Sequence, residues 1–140
     1  RVINEGIYPR PYSPDARMNV IDTDDLGEAM ANIITDRAFW GATYELSGNG
    51  TLSHNEMAAI ISEELGQKVT AVHRDIEEWK AWAIEQDWTD YAIKNYIRMC
   101  SHYNDHGYKY GNGITLQAIL GRPATDYRTF VQKFIRQQAS

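Results

Sequence analysis

The amino-acid sequence predicts an α/β fold with short parallel strands and a predominantly α-helical C-terminal part. In the first half, short apolar runs typical of strands alternate with longer runs whose apolar residues recur with a helical period. Strands that are separated by helices favour parallel pairing within a sheet. From about residue 75 onward, only helical patterns follow. We therefore expect an α/β region followed by helices.

The N-terminal half predicts several short strands. Residues 1–17 contain three of the four prolines, so we expect an extended N-terminal segment, which can include a short strand near Val2 and Ile3. Short apolar runs bounded by turn residues predict further strands at residues 18–22, 43–47 and 69–73. The length suits one domain, so residues 1–17 and 18–140 are expected to form a single domain over residues 1–140.

Periodic apolar residues and capping signals predict the helices. Ser53 and Glu56 have the spacing of a capping box, in which each side chain accepts a hydrogen bond from the other residue's backbone N–H. Gly66 supplies the stop of that helix, and Asp75 can cap the next one. The predicted helices are residues 24–36, 53–65, 75–83, 89–106, 115–120 and 126–136.

Composition argues against several classes of function. The net charge is −5 and the isoelectric point about 5.3, which is the wrong sign for a protein that grips phosphate backbones. No apolar run approaches the roughly 20 residues of a membrane span. A single cysteine, Cys100, cannot form an internal disulfide, which suits a reducing cytoplasm. We therefore expect a cytoplasmic protein that binds neither nucleic acid nor membrane.

The polar clusters predict no catalytic and no metal site. Asp22, Asp24, Asp25 and Glu28 lie at a predicted helix N-terminus, where carboxylates complement the helix dipole. The pair His102 and His106 could share one helix face, but it lacks the Glu of a zinc-protease motif, so a solvated face is favoured over a metal site. No histidine has an evident nucleophile beside it in the sequence.

Two glycine-containing loops are interpreted as turns. Residues 48–50 and 111–113 both read Gly-Asn-Gly. A dinucleotide-binding fingerprint needs a third glycine, and the corresponding positions hold Ser53 and Leu116. Neither loop continues into the Gly-Lys-Ser/Thr of a nucleoside-triphosphate site. The sequence therefore predicts no cofactor-binding site on this chain.

Aromatic residues are the strongest functional indication. They are concentrated between residues 79 and 110, and such rings suit either a pocket, an interface or plain core packing. As a binding module, the domain would use these rings to hold a small apolar or aromatic ligand.

Several runs resemble a known family. They are Met18-Asn-Val-Ile-Asp-Thr-Asp-Asp-Leu-Gly-Glu-Ala, Tyr44-Glu-Leu-Ser-Gly, Leu52-Ser-His-Asn-Glu-Met-Ala, Glu64-Leu-Gly-Gln-Lys-Val and Leu120-Gly-Arg-Pro-Ala-Thr-Asp-Tyr-Arg-Thr-Phe-Val. In order and spacing they resemble the C-terminal half of NmrA-like proteins, atypical members of the short-chain dehydrogenase/reductase superfamily. No tyrosine is followed four residues later by the lysine of the usual short-chain dehydrogenase pair.

The resemblance implies a substrate-binding domain that lacks the N-terminal Rossmann half. In that family the Rossmann half holds NAD(P), so NADP would be bound only if another chain supplied that half. The pocket-lining residues that the resemblance implies are Trp82, Tyr96, Tyr103 and Tyr108. We expect a small-ligand or partner-binding module; the alternative is a fragment of an NAD(P)H-dependent oxidoreductase acting on quinone- or carbonyl-type compounds. A purely structural or regulatory interaction domain is a third hypothesis.

The resemblance also implies a surface that needs covering. In the family, the strand that matches residues 43–47 pairs at the edge of the Rossmann sheet. Without that half, the strand would expose unpaired backbone N–H and C=O groups, which invite association. We therefore expect a homodimer, or a partner that covers the exposed strand 43–47.

Overall fold

The computed structural model describes residues 2–138, and within them it shows seven α-helices and four short strands. The helices are α1 (Val2–Glu5), α2 (Thr23–Thr35), α3 (His54–Leu65), α4 (Ile76–Glu85), α5 (Asp90–His106), α6 (Ile114–Leu120) and α7 (Tyr127–Gln138). The strands are β1 (Ile7–Arg10), β2 (Arg17–Asn19), β3 (Thr51–Ser53) and β4 (Thr70–His73). The predicted α/β class is confirmed, with β1 and β4 pairing in parallel and β2 pairing with β3.

The described chain divides into two compact units. The first consists of the residues up to Arg17 together with Ser53–Tyr108, and the second of Met18–Leu52 with the residues from Lys109 onward. In the first unit, β1 and β4 lie in register from Ile7 opposite Thr70 to Arg10 opposite His73. Helix α3 packs against β4, and α4 packs against α5.

Each unit has its own apolar core. In the first unit, Trp79, Ala83 and Ile93 are buried where α4 meets α5. In the second unit, α2 packs against α6. The buried residues of the second core are Ala29, Leu116, Ile119, Leu120 and Ala124. No helix within residues 2–138 combines the length and the apolar character needed to cross a membrane.

Local capping determines where the helices begin and end. The side chain of Asp22 accepts a hydrogen bond from the backbone N–H of Asp24 at the start of α2. Ser53 and Glu56 form both hydrogen bonds of the capping box. Gly66 ends α3 in the left-handed conformation, with a φ of 67° that favours glycine. These predicted signals are confirmed.

Two strand predictions are wrong. Val2 and Ile3 lie in α1, and the first strand begins only at Ile7. Residues 43–47 form no strand: Tyr44 and Leu46 instead pack against the helical core of the second unit. The alternation of these two residues therefore reflects packing on helices and not a strand ladder. The expected partner over this segment stays a prediction.

Candidate functional site

A half-open cleft of about 480 Å³ lies in the first unit, where β1 and β4 end. Its volume is in the range of small-molecule sites. The carboxyl ends of parallel strands are also where open α/β sheets commonly bind ligands. Because β1 and β4 are parallel, their C-terminal ends lie at the same edge. The residues there that line the cleft are Pro9 and Arg10 at the end of β1, Pro11 directly after it, and Arg74 directly after β4.

Three aromatic rings from α4 and α5 form the opposite wall of the cleft. Trp79 is buried and stacks on Tyr96, with ring centroids 4.1 Å apart and an interplanar angle of 20°. Trp82, one turn along α4, also lines the cleft and is 40% exposed. Trp88 meets the Trp79 ring edge-on at 5.5 Å. Trp79 is thus buried within the wall, whereas the ring of Trp82, beside Arg74 and Trp88, is partly exposed to solvent.

Two arginines add positive charge to the cleft. The guanidinium of Arg74 lies 5.8 Å from the centre of the Trp82 ring. Arg10 lies 4.5 Å from the centre of the Tyr8 ring and donates hydrogen bonds to the Tyr8 hydroxyl and to the backbone oxygen of Pro9. The cleft thus combines flat apolar surface with two cationic donors.

The structure brings together two of the four residues expected to line a pocket. Trp82 and Tyr96 lie in the cleft wall. Tyr103 instead contacts Tyr12 at 5.5 Å and Tyr108 at 6.2 Å between ring centroids. Neither Tyr103 nor Tyr108 lines the cleft. Whether any of the four contacts a ligand stays a prediction.

Sequence reasoning missed the arginines and prolines of the cleft. A signal was present, because Arg10 and Arg74 each lie at the C-terminal end of a short apolar run. The prolines of residues 1–17 instead predict an extended segment, with its strand placed near Val2. Once β1 is recognised at Ile7–Arg10, its parallel pairing with β4 brings these two arginines to one edge.

A second cluster in the same unit is buried and consists of Tyr12, His54 and Cys100. Burial raises the pKa of Tyr12 to about 12 and that of Cys100 to about 11. Burial and the charge of Arg10 lower the pKa of His54 to about 4. At neutral pH the thiol is therefore protonated and the imidazole is neutral, so Cys100 is not activated as a nucleophile.

The acidic residues of α2 form a structural ion-pair network. The carboxylate of Asp25, 1% exposed, accepts hydrogen bonds from the guanidinium of Arg122 at 2.8 Å and from the hydroxyl of Thr125 at 3.0 Å. Glu28 pairs with the same guanidinium. Asp22 and Asp24 remain at the helix N-terminus as predicted. Both carboxylate oxygens of Asp25 are thus used within the second unit.

No metal-binding cluster occurs in the part of the chain from residue 2 to residue 138. The rings of His102 and His106 lie 4.8 Å apart on α5, and both side chains are exposed. With no third ligating group beside them among the described residues, the pair forms a solvated helix face.

Similarity to known proteins agrees with this architecture. The profile of the NmrA-like family matches residues 4–134. The chain belongs to the NmrA-like family. A comparison with curated protein sequences found no significant match. The family resemblance seen in the sequence is therefore confirmed over most of the chain.

Several solved structures share the fold of this NmrA-like chain. Triphenylmethane reductase from Citrobacter sp., solved with NADP(H), has a TM-score of 0.74 and 21% identity, over 94% of this chain and 45% of its own. An NADPH-dependent quinone oxidoreductase from Escherichia coli has a TM-score of 0.75 and 18% identity, over 96% of this chain and 48% of its own. A nucleoside-diphosphate-sugar epimerase from Staphylococcus aureus has a TM-score of 0.72 and 21% identity, over 94% of this chain and 45% of its own. The NmrA-like chain spans less than half the length of each.

The glycine loops of this NmrA-like chain do not fit the pyrophosphate of a dinucleotide. The backbone N–H of Gly48 already donates to Asn19 Oδ1 at 2.8 Å. A Cβ at Gly48 would lie 1.7 Å from the backbone oxygen of Val20, so this glycine permits close packing within the second unit. A Cβ at Gly113 would lie 2.0 Å from the side-chain oxygen of Asn49. A glycine of each loop is therefore packed against a neighbouring residue of the second unit.

Proposed function

We propose that this chain is the ligand-binding part of an NmrA-like protein, and that the cleft at the ends of β1 and β4 binds a flat aromatic compound. The observation that carries the proposal is the half-exposed ring of Trp82 beside the stacked pair of Trp79 and Tyr96. A planar ligand can stack on such a wall and bury its faces, while its polar groups point towards the arginines.

The similar structures support an aromatic ligand. One of them is named for quinones, which are flat conjugated compounds, and another for triphenylmethane, which carries three aromatic rings. A quinone oxygen could accept a hydrogen bond from Arg74, because guanidinium groups donate in a planar fork. The chemistry named for those proteins is thus compatible with the groups found in this cleft.

A second candidate function is the substrate-side part of an NAD(P)H-dependent reductase. It is favoured by the cofactors named for the same two structures, of which this chain spans less than half. Since neither glycine loop fits a pyrophosphate, the nucleotide would be held by residues outside this sequence. Under this proposal the chain alone binds the ligand but does not reduce it.

The first test is binding of menadione, a neutral quinone, to the 140-residue chain by calorimetry and thermal shift. We expect saturable binding that raises the melting temperature, because a ligand that binds only the folded state stabilises it by mass action. Trp82→Ala should weaken binding about 5-fold or more, since stacking of a planar base on an aromatic side chain contributes about 1–3 kcal/mol.

Trp40→Ala is the matched control for this test. Trp40 is also an exposed tryptophan beside an arginine, Arg37, but it belongs to the second unit and not to the cleft. This variant should bind menadione as tightly as the unchanged chain. Equal affinity of the Trp82→Ala variant and the unchanged chain would place the ligand elsewhere and overturn the proposal.

A further inference from the structure

The cleft carries two arginine side chains, Arg10 and Arg74. Arg17 and Arg122 form ion pairs with Glu56 and Asp25, respectively. Among residues 2–138, by contrast, no carboxylate forms an ion pair with Arg10 or with Arg74. The chain as a whole carries a net charge of −5, so a cleft with two unpaired arginines has a charge opposite in sign to that of the whole chain.

Backbone pairing and ring contacts position both arginines. The backbone N–H of Arg74 donates to the backbone oxygen of Arg10 at 2.8 Å, continuing the parallel pairing of β1 and β4 by one step. Each guanidinium also lies against an aromatic ring, that of Tyr8 or that of Trp82. The ring contacts hold the two cations by cation–π attraction, which does not pair either charge with a carboxylate.

The carboxylate nearest to Arg74 in sequence has another role. Asp75 caps α4, and its Oδ1 accepts hydrogen bonds from the backbone N–H groups of Glu77 and Glu78 at 2.8 and 3.2 Å. The cap thus holds this carboxylate at the helix N-terminus. Arg74 keeps its guanidinium N–H donors for a group that enters the cleft.

We propose that the ligand of this cleft is an aromatic anion whose carboxylate, sulfonate or phosphate group is bound by Arg74 and Arg10 while its ring stacks on Trp82. The inference rests on the proposed function and narrows it from aromatic compounds in general to anionic ones. Arginine suits this role because its planar fork matches the two oxygens of such a group. A cationic aromatic compound is disfavoured by the same charges.

The test compares three ligands with one ring system: naphthoate (anionic), naphthamide (neutral) and naphthylmethylammonium (cationic). Calorimetry with the 140-residue chain at neutral pH should rank them in that order. Naphthoate should bind about 10-fold or more tightly than naphthamide, the ratio expected of a charge-assisted hydrogen bond. Added salt should reduce this ratio, because mobile ions screen exposed charges.

Arg74→Gln should weaken naphthoate binding more than naphthamide binding, and so reduce the preference for naphthoate by about 5-fold, while Arg10 keeps the remainder. Arg74→Lys keeps the charge without the fork and should restore part of the preference. Arg37→Gln is the matched control, because Arg37 lies 5.6 Å from the Trp40 ring in the second unit and does not line the cleft.

Three results would overturn the inference, and they are distinguishable. Equal affinities for naphthoate and naphthamide, both lost in the Trp82→Ala variant, would remove the anion preference and leave the proposed aromatic site intact. Absence of binding by all three compounds and by menadione would remove the proposed function and the inference together. An undiminished naphthoate preference in the Arg74→Gln variant would overturn the assignment of the anion to Arg74.

Discussion

Arg122 and Asp25 form an ion pair, 2.8 Å between Nη2 and Oδ1, in which the carboxylate is buried and the guanidinium is 40% exposed. Burial raises the pKa of the Asp25 carboxyl, but hydrogen bonds from Thr125 and Arg122 outweigh it, so this pKa lies below its ordinary value. The backbone N–H of Thr125 donates to Oδ2, and the Thr125 hydroxyl donates to Oδ1. One carboxylate thus joins α2 to the loop before α7.

Replacing Asp25 should be strongly destabilising. Asp25→Ala removes the ion pair and leaves the donors of Thr125 unpaired inside the second unit, and we expect a loss of about 3 kcal/mol in the free energy of unfolding. Glu28→Gln is the control, because Glu28 is 45% exposed and contacts the same guanidinium. Glu28→Gln should lower the free energy of unfolding by less than about 1 kcal/mol. Urea denaturation measures both, and equal losses would contradict the distinction.

His54 should make stability fall as the pH falls. It is 3% exposed, its Nδ1 has no hydrogen-bond partner among residues 2–138, and it packs between Tyr8 and Tyr12. Burial and the charge of Arg10 lower its pKa from 6.5 to about 4 in the folded state. Between these two values the unfolded chain takes up a proton and the folded one does not, so acid favours unfolding.

The measurement is the free energy of unfolding between pH 6.5 and about 4. We expect the unchanged chain to lose up to about 3 kcal/mol more than a His54→Leu variant over this range. The difference between the two isolates His54 from the carboxylates that titrate nearby. A variant of the exposed His102, His102→Gln, should follow the unchanged chain. Parallel pH curves for the unchanged chain and His54→Leu would show that His54 is not responsible.

The helices from α2 to α7 were predictable because their signals are local. Ser53 and Glu56 are three residues apart, and Gly66 directly follows the last residue of α3. The ion pair of Asp25 with Arg122 was not predictable, since these residues are separated by 97 positions. Nothing in the sequence near Asp25 distinguishes it from Asp24, which stays exposed. Only the packing of the second unit determines which of the two is buried.

The candidate site was predicted in part for the same reason. Trp82 and Tyr96, which the family resemblance implies as pocket-lining residues, lie on the two helices that pack together and line the cleft. Arg10 and Arg74 come from two distant strands, and only the parallel pairing of β1 with β4 makes them neighbours. Charge in a cleft depends on which chain segments meet, and single-sequence patterns do not carry that information.

Substitution by alanine should have opposite effects on stability at two glycines, Gly48 and Gly27. A Cβ at Gly48 would lie 1.7 Å from the backbone oxygen of Val20, which cannot move aside as a side chain can. Gly48→Ala should therefore lower the free energy of unfolding by about 1–3 kcal/mol. A Cβ at Gly27, in α2, would meet nothing within 4 Å beyond the helix backbone around it. Gly27→Ala should stabilise the chain by about 0.5–1 kcal/mol, because alanine favours the helix.

Urea denaturation of the two variants checks this pair of glycines. The opposite signs matter because both substitutions add the same methyl group to the same unit. If Gly48→Ala were neutral, the loop would not be packed against Val20. Residues 48–50 would then not act as a packed turn, and the objection to a phosphate cradle there would be removed.

Substitutions of Trp79 and Trp82, both on α4, should have different effects: the first should reduce stability and the second should reduce ligand binding. Trp79 is 5% exposed and stacked on Tyr96, so Trp79→Ala should cost about 3–5 kcal/mol in the free energy of unfolding. Trp82 is 40% exposed, and Trp82→Ala should cost less than about 1 kcal/mol. Denaturation curves and menadione titrations of both variants distinguish the roles. If Trp82→Ala lost as much stability as Trp79→Ala, its ring would be part of the core, and the cleft would have no free stacking surface.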